Sequence, residues 1–245
     1  MRLQRCRHGG TRRFRSDTPL RCARRNKKEA AEALIEHNAD VAAHDSDRDR
    51  ETLLHRAARE ENEAAINILT EFGADQDARD AQGRTPLHVA AMCSLKAVKI
   101  LVAIGSRRDL EDNNKHTPLH VACSRDNNIE MVKILLGDGA IVAFIDNNGQ
   151  TPLHIAAARG DPEVLAELAK VKQALNVSDK KGKTALHIAA EEGMDDALSL
   201  LLSVGMKIEA QDNEKKTPLH LAAQRGHTAA VKMLRKAIPS ARLRC

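Results

Sequence analysis

Six histidines recur along this chain at near-constant spacing: His55, His88, His120, His154, His187 and His220. Each closes a four-residue motif, "TLLH" at Thr52, "TPLH" at Thr85, Thr117, Thr151 and Thr217, and "TALH" at Thr184. An imidazole can ligate a metal, shuttle a proton beside a nucleophile, or brace a scaffold through its two ring nitrogens. Catalysis and metal binding need several such groups at one point. A motif that returns with a period instead places one ring per unit, strung along the molecule.

Other stretches invite chemistry and fall short of it. "GKT" at Gly182–Thr184 resembles the end of a phosphate loop, but Val177 stands where that loop needs its first Gly. "DSDRDRE" at Asp45–Glu51 starts like a calcium loop, with Arg50 at the position of the turn Gly and Arg56 at that of the final Glu. Cys6, His8 and Cys22 supply no paired CxxC, so no zinc spacing is present. No Ser or Cys lies in the context of a nucleophile elbow. Asn176–Val177–Ser178 is a glycosylation sequon in a tight segment between units. The expectation is a protein with no active site, no cofactor and no metal.

The elements that hold these residues are legible from the period. The motif starts at Thr18 (as "TPLR"), Thr52, Thr85, Thr117, Thr151, Thr184 and Thr217, at intervals of 34, 33, 32, 34, 33 and 33 residues. Thr is a good N-cap, its hydroxyl accepting a backbone N–H of the first turn. Pro follows at the first helical position, where its missing N–H costs nothing. Leu87, Ala90 and Ala91 then form a narrow, small-residue face. A second helix carries a wider apolar stripe, as in Val98, Ile100, Leu101 and Val102, or Met131, Val132, Ile134, Leu135 and Leu136. Gly73, Gly105, Gly139 and Gly205 stand where its C-terminus needs a left-handed residue. Segments such as "DAQGRT", "DNNGQT" and "DKKGKT" return the chain to the next Thr as tight turns. One unit cannot bury its own apolar face, so the units must stack.

A 33-residue period with this signature resembles the ankyrin repeat family, over residues 17–238 and in about seven tandem repeats. The fold class implied is an all-α repeat solenoid of stacked helix-turn-helix ankyrin repeats with β-hairpin-like finger loops. Residues 1–16 are read as a basic N-terminal arm, expected to be disordered, and 239–245 as a short basic C-terminal tail. The resemblance implies a structural histidine, its ring bonded to the Thr hydroxyl and to backbone of the adjacent loop. It also places Asn176 where similar repeats undergo asparaginyl hydroxylation. Departures stand out: Arg21 replaces the His of the first unit, and Arg50, Lys115 and Lys215 replace the turn Gly. The third unit is one residue short at Ser94–Leu95, and the fourth is one long around Asp126–Asn128. Lys172 takes the place of a cap Gly, and Arg235 occupies an otherwise apolar position.

Composition limits the partners. The 245 residues are 42% hydrophobic but 1% aromatic, which suits a thin aliphatic core between closely stacked helices. The net charge of +5 divides unevenly: residues 1–28 carry +10, leaving −5 for the rest. Without interleaved aromatics the basic arm ranks nucleic acid last among partners. Five scattered cysteines and no apolar stretch long enough to span a bilayer suggest a cytoplasmic or nuclear protein. The resemblance implies a non-enzymatic adaptor or scaffold, expected as a monomer, binding a protein through the concave face of the stack. The alternative is the ankyrin segment of a larger channel or cytoskeletal anchoring protein. Mapped onto this chain, the binding surface comprises Arg125, Asn147, Asn148, Arg159, Lys180, Lys181, Lys183, Lys215, Lys216 and Arg225. The concentration of lysines at one end suggests an acidic or phosphorylated segment in the partner.

Overall fold

The computed structural model describes residues 49–125, 128–137, 143–171 and 175–238. The unit at Thr18, the basic arm, Gly139, Lys172 and the C-terminal tail lie outside the described residues. Within them stand six helix–turn–helix pairs. The first helices are α1 (Leu53–Arg59), α3 (Pro86–Cys93), α5 (Pro118–Cys123), α7 (Pro152–Arg159), α9 (Ala185–Glu192) and α11 (Pro218–Arg225). The second helices are α2 (Glu63–Glu71), α4 (Leu95–Ala103), α6 (Ile129–Leu136), α8 (Pro162–Ala169), α10 (Asp195–Ser203) and α12 (Thr228–Ala237). Each first helix packs on the next first helix and each second helix on the next second helix, so the pairs form a two-layer solenoid.

The layers differ because their residues differ. First helices bury alanines at the same place in successive units: Ala57 and Ala58, Ala90 and Ala91, Ala156 and Ala157, Ala189 and Ala190. Without bulk there, neighbouring helices approach closely. First helices add one large leucine each at Leu54, Leu87, Leu153 and Leu186, whereas second helices supply more of the fully buried large side chains: Ile66, Leu101, Leu135, Leu165, Leu168, Leu198 and Leu201. Each such aliphatic contributes roughly 1.5–3 kcal/mol when removed from water. Arg235 is exposed on α12, as its apolar-position substitution anticipates.

Each finger is a turn organised by an aspartate. Asp80 Oδ1 accepts from the N–H of Gln82 (2.9 Å) and of Arg84 (2.8 Å), and the Gly83 N–H donates to the Asp80 carbonyl (3.0 Å). Asp112, Asp146, Asp179 and Asp212 accept from the second and fourth following residues in the same way. One backbone bond then joins each finger to the one before: Asn113 N–H to Gln82 O (2.9 Å), Asn147 to Asn114 (3.0 Å), Lys180 to Asn148 (2.9 Å), Asn213 to Lys181 (3.0 Å). A single bond per finger is no ladder, and no strand forms among the described residues.

The turn glycines are left-handed, with φ +78° at Gly149 and +77° at Gly182. Arg50, Lys115 and Lys215 keep that geometry at φ +56°, +61° and +64° without being glycine. At Lys115 and Lys215 the turn closes as it does at the glycines, the N–H donating to the carbonyl of Asp112 (2.9 Å) and of Asp212 (3.0 Å). A second left-handed position, at the end of each first helix, is held by Gly160, Gly193 and Gly226, and by Glu61 (φ +55°) in the first described unit. In the short third unit that residue is missing. Ser94 is both the C-cap of α3 and the N-cap of α4.

Candidate functional site

The recurring histidines are buried and fully engaged in five of the six described units. His55, His88, His120, His154 and His187 are at most 1% exposed. Each ring Nδ1 accepts from the backbone N–H of the Thr three residues earlier, at 3.1 Å for Thr85 and His88, and the Thr hydroxyl lies at 2.8 Å from the same nitrogen. Because a peptide N–H only donates, Nδ1 is unprotonated and the hydrogen sits on Nε2. Nε2 then donates to the carbonyl that precedes the next unit's Thr: Arg84 (2.8 Å), His116 (2.9 Å), Gln150 (3.2 Å), Lys183 (3.1 Å) and Lys216 (3.2 Å). The ring thus ties one helix pair to the following finger. The hydroxyl of Thr85 stands 3.4 Å from the His88 amide, so its short contact is to the ring rather than to the backbone. Burial outweighs the carbonyl bond and lowers the pKa of His88 and His120 from 6.5 to about 4, and burial lowers those of His154 and His187 too. His220 keeps its Thr217 contact at 2.7 Å but is exposed.

The cations expected to face a partner are divided by the structure into two sets. Glu191 on α9 pairs with Lys183 and, at 3.0 Å, with Arg225 from the next unit. Burial opposes ionisation of Glu191, but these two partners hold its carboxyl below the ordinary value. Lys216 pairs with Glu214 (2.8 Å) and donates to Gln224 Oε1 (3.1 Å). Lys180, Lys181 and Lys215 are exposed finger residues, and none takes part in an ion pair among the described residues. The asparagines are divided likewise. The Asn147 amide donates to Asn113 O (3.2 Å), as Asn113 does to Ala81 O (3.0 Å) and Asn213 to Lys180 O (2.9 Å). Asn148 is exposed and donates at 3.4 Å to Asp146 of its own turn. Glu191 and the finger aspartates were not anticipated from the sequence as organising residues. The recurrence of Asp five residues before Thr85, Thr117, Thr151, Thr184 and Thr217 was the available signal.

Arg125 and Arg159 lie elsewhere, at a cleft of about 530 Å³ where α3, α5 and α7 end. Ala91, Met92, Leu95 and Met131 supply apolar wall, with Cys93, Ser124, Asn128 and Glu130 beside them. Burial raises the pKa of both Cys93 and Cys123, so neither is an activated thiolate. Among the described residues no three His, Cys, Asp or Glu side chains gather to hold a metal ion. Nor is any helix long and apolar enough to cross a membrane. Asn176 is exposed and its Oδ1 accepts from the Lys207 N–H (3.2 Å) across to the next unit.

Comparison with known proteins agrees with this architecture. The family described as ankyrin repeats (3 copies) matches residues 20–109, 94–174 and 160–242. The crystal structure of the ankyrin repeat domain of Bcl-3, described as a unique member of the IkappaB protein family, is similar with a TM-score of 0.70 at 26% identity. That likeness covers 79% of this chain and 89% of the other. Rabankyrin-5 of Homo sapiens is 54% identical over 43 residues, 18% of this chain and 4% of that protein, and Rabankyrin-5 of Mus musculus matches to the same extent. This stretch therefore spans a small fraction of the curated relatives' length.

Proposed function

Given that this chain belongs to the ankyrin repeat family, we propose that it is a non-enzymatic adaptor or scaffold that binds an acidic or phosphorylated segment of a partner protein across its fingers. The observation that carries this is the pair of adjacent fingers bearing Lys180, Lys181 and Lys215, exposed and outside any ion pair among the described residues. Asn213 holds these fingers in register through Lys180 O (2.9 Å) and Lys181 O (3.0 Å), so the cations are presented from a braced surface. Lys183, Lys216 and Arg225 form a second rank whose charge Glu191 and Glu214 partly absorb. An incoming phosphate or carboxylate gains from the first rank directly and from the second only by sharing these partners. Asn148 extends the finger surface toward the earlier units, while Asn147 contributes chiefly by fastening its finger; Arg125 and Arg159 belong to the separate cleft at the ends of α3, α5 and α7. The binding face is the concave side of the stack, and the compartment is cytoplasmic or nuclear.

The test compares reversal of Lys180, Lys181 and Lys215 to Glu with the same reversal at Lys99, Lys207 and Lys232, which are exposed elsewhere. Partner capture from a cell lysate should fall at least tenfold for the first variant and change less than twofold for the second. Phosphatase treatment of the lysate separates phosphate from carboxylate recognition. Equal losses in the two variants would sink the finger reading. As a second reading we propose that these repeats are one segment of a larger channel or cytoskeletal anchoring protein, binding through the same surface.

A further inference from the structure

The cleft at the ends of α3, α5 and α7 has a different chemistry from the fingers. At Gly160 and Gly193 the neighbouring unit fills the space over the turn: a Cβ added there would meet Met194 Sδ at 2.6 Å or the His227 ring at 2.5 Å. Between α3, α5 and α7 the packing is open by about 530 Å³, within the range that holds a small ligand or one to two side chains. Two irregularities coincide with the opening. Ser94 leaves no loop between α3 and α4, and α5 has 6 residues where α3 and α7 have 8.

The walls are apolar and adaptable. Met92 is 37% exposed and is one of three large hydrophobics so exposed among the described residues, while Met131 is 7% exposed behind it. Leu95 completes this lining. Unbranched, polarisable methionines mould themselves to ligands of different shape. Arg125 is exposed at the rim, and the one carboxylate among the described lining residues, Glu130, is paired with Lys133 at 3.0 Å.

We propose that this cleft docks an extended segment of a partner protein in which a large apolar side chain stands next to a carboxylate. The apolar side chain enters between Met92, Leu95 and Met131, and the carboxylate meets the guanidinium of Arg125. The inference rests on the reading of the chain as a protein-binding stack. It adds a second anchoring point, specific for an apolar–acidic pair, at a distance of two units from the lysine fingers.

Three synthetic decapeptides in a Gly/Ser background serve as probes: one containing Phe-Asp-Glu, one Phe-Asn-Gln and one Gly-Asp-Glu. Binding is read from the methyl resonances of 13C-methionine-labelled protein and from fluorescence anisotropy. The Phe-Asp-Glu peptide should move the Met92 and Met131 methyls while leaving those of Met194, Met206 and Met233 in place. Its Kd should rise at least tenfold in Arg125→Glu, an exposed site whose unfolding midpoint should stay unchanged, and less than twofold in Lys180→Glu. The other two peptides should each bind at least fivefold more weakly. The inference is overturned if the neutral peptide binds equally well, if Arg125→Glu has no effect, or if the Phe-Asp-Glu peptide does not bind at all. A peptide that responds to Lys180→Glu and not to Arg125→Glu also overturns it, and supports the finger reading instead.

Discussion

A buried imidazole that must remain neutral makes folding sensitive to acid. In the unfolded chain His88 and His120 take up protons near pH 6.5, but in the fold only near pH 4, because burial disfavours the imidazolium. The unfolded state therefore binds more protons between those values, and stability rises with pH across that window. The contribution is fully present above about pH 6.5 and is lost as pH falls toward 4. Each of the two rings accounts for about 3 kcal/mol at full loss, taking 1.36 kcal/mol per pKa unit. His154 and His187 act in the same direction. Urea unfolding at pH 7 and at pH 4.5 should show a midpoint that drops steeply at the lower pH. A midpoint unchanged between the two would contradict the buried neutral rings. At this scale the family resemblance implied the structural role of the histidines, and the Thr contact forms even at the exposed His220, because Thr and His three residues apart share one helical turn. Their Nε2 acceptors, 28 to 30 residues away, exist only once the units stack.

At the scale of the element, the fingers show where a left-handed residue must be glycine and where it need not be. A Cβ on Gly182 would lie 2.7 Å from the Asn213 backbone nitrogen, and one on Gly149 2.8 Å from that of Lys180. Backbone cannot yield as a side-chain tip can, so Gly182→Ala combines a φ of +77° with a collision. It should destabilise the stack by about 2 kcal/mol or more. Lys215 has φ +64° in the last described finger. Lys215→Gly relieves left-handed strain of about 1–2 kcal/mol but adds freedom to the unfolded chain worth up to about 1 kcal/mol. A net gain of about 0.5–1 kcal/mol follows from these two terms. Unfolding midpoints of the two variants should move in opposite directions, and a stabilised Gly182→Ala would refute the packing argument. The sequence revealed the positions through the recurring turn glycines. It did not reveal that Arg50 and Lys115 retain the same backbone, since propensity alone favours another turn there.

Over the whole molecule, each helix pair is held only by its neighbours, so stability depends on position in the stack. The pair α11–α12 lacks, among the described residues, a following finger to accept the His220 Nε2–H, and His220 is exposed where His154 and His187 are buried. Amides of α11 should therefore exchange with solvent faster than those of α7 and α9. Equal protection at Leu221 and at Leu153, measured by hydrogen exchange, would show that the end unit is as firmly held as the interior. What the sequence determined by itself was the repeated framework of each unit, though the role of the recurring finger aspartates emerged only with the structure. Thr caps, Pro at the first helical position, alanine faces, leucine stripes and turn glycines fall at fixed offsets, and each acts within a turn or two of its own position. Tertiary structure decided the rest. Glu191 meets Arg225 from 34 positions away, the finger asparagines fasten to the previous finger, and the cleft is assembled from three units. Such contacts depend on how far one unit is displaced against the next. That displacement depends on packing summed along the stack, which no local spacing encodes; the two single-residue irregularities are legible as the intervals of 32 and 34, but the cleft beside them is not.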